Sequence, residues 1–152
     1  MRGRSEDATR QLVSALELSS RTTPDLEASV QFESGELRAG NGQWPQAIDS
    51  FRAAAESLAG HEGDHTMLAR TFARLVDGAL ATNDLPAYAV AITHLERESE
   101  RAEALALPAR AHARATLSGA AGLDLEHERS RALELACAAG DAETFRKIVG
   151  LH

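Results

Sequence analysis

Cysteine is nearly missing from this chain: Cys137 stands alone. No intrachain disulfide can form, and a reducing, cytoplasmic setting is the simple expectation. Aromatic residues make up only 4% of the sequence, and Val and Ile are sparse too. Strands draw on those residue types, so a sheet protein is poorly served. Proline occurs four times, each time near a helix start. No apolar run approaches the roughly 18 residues of a membrane span. The opening M-R-G-R-S-E-D has no apolar stretch of the signal-peptide kind. Basic residues are outnumbered, 16 Lys and Arg against 23 Asp and Glu, for a formal charge of −7. That balance argues against a general binder of nucleic acid or anionic membranes, which needs a basic surface.

What is present is alanine, leucine and charge, 43% hydrophobic in all over 152 residues. That length suits one domain, able to bury about 68–70% of its unfolded surface. The apolar spacing predicts an all-helical chain. A leading helix is expected over 5–19, through Ala8, Leu12, Ala15 and Leu16. Thr23-Pro24-Asp25 then reads as a helix start: a hydroxyl cap, a proline in the first turn, an acid at the positive end of the dipole. Gly40-Asn41-Gly42 reads as its stop, because these residues accept a left-handed backbone. A second helix opens at Trp44-Pro45 and runs to Ala59. Later helices are expected in 65–104, in 108–139 and, capped by Asp141, in 142–149, making about seven or eight in all.

The helices recur at a near-constant step. Trp44, Leu85 and Leu125 open successive helices, 41 and 40 residues apart (85 − 44 and 125 − 85), each after a turn. The same step carries Phe51 to Ile92 and Ala132, Ala54 to Leu95 and Leu135, and Ala28 to Ala69 and Ala109. Alternating helices at a fixed step are the mark of a stacked array. Gly35, Gly42, Trp44, Ala47, Phe51 and Ala54 resemble the tetratricopeptide repeat (TPR), whose A-x3-F pattern Ala47 and Phe51 match. Tyr88 and Glu128 stand where Ala47 does, the W-x2-L-G opening is represented only by Gly35, and the period exceeds the family's usual ~34 residues. A long-period relative is implied, with HEAT-type arrays as the structural alternative. The resemblance implies a right-handed α-solenoid of antiparallel hairpins, 24–59, 65–104 and 108–139, within a single domain closed by a capping helix at 142–149.

Few motifs point to chemistry. His61-Glu62-Gly63-Asp64-His65 is a literal H-E-x-x-H, but a zinc peptidase needs both histidines on one helix face. Gly63-Asp64 in its middle favours a loop, with Asp64 capping the next helix. His94 and Glu98 are the third ligands that could be proposed. His94, His112, His127 and His152 do not form a ligand-spaced set and are expected at the surface. Cys137 on an Ala-rich face is expected to be a small core residue rather than a nucleophile. The charged run Glu96 to Glu103 is expected to be a solvated helix end. No phosphate loop, dinucleotide fingerprint or nucleophile elbow is present, so no cofactor, metal or catalytic residue is assigned and the chain is read as a non-enzyme.

In tetratricopeptide proteins the first helix of each hairpin lines a concave groove. Carried by the 40–41 step, the groove positions include Phe32 and Glu36, then Arg70, Arg74 and Asp77, then Arg110 and Arg114. The two arginine pairs, each i, i+4, would share one patch of an acidic protein and could hold carboxylates by bidentate hydrogen bonds. The family's carboxylate clamp has basic residues at Arg110 and Arg114, but Phe32 and Glu36 replace its Lys and Asn. The competing reading is that these arginines are ordinary surface residues pairing with Asp77 or a neighbouring acid. The expectation is an adaptor or scaffold that binds a protein or peptide bearing acidic groups, and an apolar open end makes a homodimer a further expectation. A ligand- or peptide-sensing regulatory domain of a transcription-regulator system is the alternative, and a zinc peptidase the remote one.

Overall fold

The computed structural model describes residues 6–12, 24–59, 65–101 and 103–150. Among the described residues there are eight helices and no strand, so the all-α expectation holds. They are α1 (residues 6–12), α2 (Pro24–Gly40), α3 (Trp44–Ala59), α4 (His65–Ala81), α5 (Leu85–Ser99), α6 (Ala106–Ser118), α7 (Leu125–Ala139) and α8 (Ala142–Val149). Residue 5 and residues 13–19 of the expected leading helix, Thr23 of the expected cap, the 61–64 part of the H-E-x-x-H stretch and His152 lie outside the described residues. The chain divides into two compact units, residues 1–64 and 65–152.

Three helix ends share one device. Gly42, Asn83 and Gly140 take positive φ angles of 75°, 53° and 69°. The amide after each bonds back five residues: Gln43 to Arg38 O at 2.8 Å, Asp84 to Ala79 O at 2.9 Å, Asp141 to Ala136 O at 2.9 Å. This is the Schellman arrangement, which satisfies carbonyls that a helix end otherwise leaves bare. At two of the three corners the residue that closes one helix also opens the next. Asp84 Oδ1 accepts from Ala87 N, and Asp141 Oδ1 from Thr144 N. Such shared corners fold consecutive helices into antiparallel pairs with almost no loop.

In the first unit α2 and α3 form one such pair. Its crossing is set by Gly35 and Phe51. A Cβ on Gly35 would stand 2.6 Å from the Phe51 ring, so only glycine admits this approach. Ala47, Phe51 and Ala54 are fully buried. Phe32 meets Phe51 edge-on with ring centroids 5.5 Å apart, a geometry worth about 0.5–1.5 kcal/mol beyond simple burial.

The second unit packs α4 on α5, α6 on α7 and α7 on α8, each pair antiparallel, while α6 also lies against α4, α5 and α8. Its main core joins Val76 and Ala79 of α4, Tyr88, Ile92 and Leu95 of α5, and Ala111 and Ala115 of α6. Ala113, Ala132 and Ile148 form a second core under α8. The many alanines let these helices lie close. The turn before α7 is closer still: a Cβ on Gly122, at φ +91°, would lie 2.7 Å from Leu85. Positions one step apart are buried alike in successive pairs: Ala28, Ala69 and Ala109, then Ala47, Tyr88 and Glu128.

Candidate functional site

The second unit carries two clusters of charge. The first lies along α4, α6 and α8. Asp77 of α4 accepts from Arg74 Nη1 at 2.8 Å and from Arg114 Nε of α6 at 2.5 Å. Arg110 Nε donates to Asp141 Oδ2 at 3.0 Å, at the cap of α8. Asp141 also takes the Thr144 hydroxyl, and that bond, with Arg110 behind it, holds its carboxyl below the usual aspartate range. The two arginines of α6 are thus fastened to the helices on either side. A cleft of about 320 Å³ opens between α6 and α8, lined by Arg110, Ala113, Arg114, Leu117, Glu143, Thr144 and Lys147. Each guanidinium has five N–H donors, and the ion pairs of Arg110 and Arg114 engage Nε. Donors remain for a carboxylate in the cleft.

Four of the seven residues singled out from the sequence therefore come together: Arg74, Asp77, Arg110 and Arg114. Arg74 and Arg114 each pair with Asp77, and Arg110 pairs with Asp141, all three as ion pairs within the unit. Arg70 is exposed one turn before Arg74. Phe32 and Glu36 belong to the other unit. Phe32 is only 4% exposed and packs on Phe51, so it serves the hairpin core instead of lining a groove. Lys147 and Thr144 were missed, because α8 was read as a cap and not as a wall.

The second cluster is buried where α5, α6 and α7 meet. His112 is 4% exposed, which corrects the expectation of a surface histidine. Its Nδ1 lies 2.5 Å from Glu128 Oε2, and its Nε2 lies 2.7 Å from Glu96 Oε1. Tyr88 donates its phenol proton to the same Glu128 oxygen at 2.5 Å. Arg131 grips Glu96 with two bonds, Nε to Oε1 at 3.1 Å and Nη2 to Oε2 at 3.0 Å, and donates Nη1 to Glu134. An ionised carboxylate only accepts, so both histidine contacts are satisfied when both ring nitrogens carry a proton. Burial alone would raise Glu96 and Glu128. Hydrogen bonds from Arg131 and His112 to Glu96, and from His112 and Tyr88 to Glu128, outweigh it and hold both below the usual glutamate range. The Tyr88 phenol is pushed far above its ordinary value, first by burial and then by its bond to Glu128. The Arg131 guanidinium is held more firmly protonated by its bonds to Glu96 and Glu134.

Two other expectations change. The run from Glu96 is not wholly solvated: Glu96 is half-buried and Ser99 is buried, because both face α6 and α7. Cys137 is exposed rather than buried. Glu128, Ala132 and Ala136 take the inner line of α7, and Cys137 falls about 100° past it. His65 opens α4 with Nδ1 3.1 Å from Glu98; among the described residues no three ligand-type side chains form a metal-holding group. Nor is any helix among them long and apolar enough to cross a membrane. Compared with models of known protein families, with curated proteins and with solved structures, the chain finds no match.

Proposed function

We propose that the chain is a non-catalytic interaction module built from tetratricopeptide-like helix pairs. In this reading α4 to α8 are a short run of right-handed solenoid. The first helices of its pairs, α4 and α6, together with α8, receive an extended peptide or a helix that carries acidic groups. The observation that carries the reading is the side-by-side packing of α4, α6 and α8, with Arg110, Arg114 and Lys147 around one cleft. Asp77 links Arg74 to that cleft through Arg114. Leu117, half exposed at the same cleft, offers an apolar contact beside the cations. A cluster of guanidinium groups on an acidic protein suits a carboxylate-bearing partner and gives it orientation.

A labelled ten-residue peptide of alternating Glu and Leu is the direct probe. It should bind saturably and more weakly as salt rises. Substituting Arg110, Arg114 and Lys147 together by Gln should weaken it about tenfold or more, as expected when charge-assisted hydrogen bonds are lost, with the circular dichroism spectrum unchanged. Gln is chosen over Glu because a reversal at Arg114 would set a second carboxylate against Asp77 and confuse binding with folding. Equal binding by the triple variant, or by a Lys-Leu peptide, would remove the proposal.

A further inference from the structure

A second cavity, about 180 Å³, lies between α5, the start of α6 and the end of α7. It approaches α6 through Pro108, which stands across that helix from Arg110 and Leu117 at 3.6 residues per turn. Its walls are aliphatic: Leu105, Pro108, Leu135, Ala138 and Ala139. Its polar end holds Glu96, Ser99, Glu100 and Arg131.

Ser99 is the unusual member. It is 2% exposed, and its hydroxyl has no hydrogen-bond partner among the described residues. A helical hydroxyl can bond the carbonyl one turn back, as Thr71, Thr93 and Thr116 do here at 2.8, 2.8 and 3.0 Å. Ser99 does not, so a buried polar group is left for something else to satisfy.

The charges around it favour one sign of ligand. Arg131 is already engaged with Glu96 and Glu134. Glu100 is exposed and forms no ion pair among the described residues. At the polar end two carboxylates, Glu96 and Glu100, stand against one cation in the lining, Arg131. An anion would meet Arg131 alone, already shared between two glutamates, and would face the Glu100 carboxylate beside it.

We propose that this cavity binds an aliphatic ammonium group. The alkyl chain lies along Leu105, Pro108, Leu135 and Ala138, and the nitrogen sits at the polar end, near Glu100 and the Ser99 hydroxyl. At about 30 Å³ per water the space equals roughly six waters, which suits a chain of four or five carbons. A small free amine and a peptide's lysine side chain present the same chemistry. The site is independent of the arginine cleft.

Calorimetry on the full chain with n-pentylammonium, an N-acetylated lysine amide, n-pentanol and pentanoate tests this. At least one of the two ammonium compounds should bind, with Kd about millimolar for so few atoms. The tighter of the two identifies the source as free amine or lysine side chain. Pentanol should bind more weakly and pentanoate not at all. Ala138→Leu, at an exposed helical position, should fill the cavity and abolish binding. Glu100→Gln should weaken it about threefold, as suits an exposed charge, and Arg110→Gln should leave it unchanged. Failure of both ammonium compounds, equal binding of pentanoate, or undiminished binding to Ala138→Leu overturns the proposal.

Discussion

Burying a histidine between two glutamates is stable only when every charge finds its partner, since an uncompensated buried charge costs about 3–5 kcal/mol. Here Tyr88, Glu128, His112, Glu96 and Arg131 complete one another. The cluster joins α5, α6 and α7, so it also fixes how these helices register. Its pH dependence has a defined sign. Glu96 and Glu128 have lower pKa values folded than unfolded. They therefore add stability above their unfolded value of about 4.3 and lose it as pH falls further. Tyr88 is shifted the other way, so its contribution is complete below about pH 10 and lost above it as the phenol is forced to ionise. Tyr88 is the chain's one tyrosine, which makes it a clean reporter. In an ultraviolet titration the folded protein should show no phenolate near pH 10, and phenolate should appear only together with loss of helix. A phenol that ionises near pH 10 with helicity intact would mean that the Tyr88–Glu128 contact does not form.

Helix boundaries were readable from the sequence because a few residues set them by steric rules. Trp44–Ala59 and Ala142–Val149 match their expected limits, and the stops fall at the expected glycine and asparagine corners. The buried cluster was not readable in this way. Tyr88 and Glu128 looked like breaks in the small-residue position held by Ala47. They are a matched pair, one step apart, and the signal was that both breaks were polar and complementary. Histidine gives no such signal, since its burial depends on partners from two other helices. Asn83 tests the corner itself. It holds φ +53° and makes the Schellman bond through Asp84. A side chain with a Cβ costs roughly 1–2 kcal/mol in that backbone region, and asparagine recovers part of it by local hydrogen bonding. Asn83→Ala should therefore destabilise by about 1 kcal/mol, whereas Asn83→Gly should be neutral or slightly stabilising. Chemical denaturation of the two variants checks it, and an equal effect from both would show that the corner is not under this constraint.

For the chain as a whole, the question is what can fold alone. A single helical hairpin has one face to bury and one neighbour to bury it against, and isolated helices of this length are marginal in water. The α2/α3 pair closes Phe32, Phe51 and the alanines around Gly35, but it is one hairpin. The second unit has five helices, two adjoining apolar cores and the buried charge cluster between α5, α6 and α7. Its α6 touches each of the other four helices, so no helix of that unit can leave without uncovering another. Residues 65–152 expressed alone should therefore be helical and melt in one cooperative step, while a peptide of residues 24–59 should be largely unfolded. Circular dichroism during thermal unfolding separates the cases. If the 65–152 fragment melts gradually, its cores do not act together. If the 24–59 peptide folds cooperatively, the close approach of Gly35 to Phe51 contributes more than one hairpin is expected to hold.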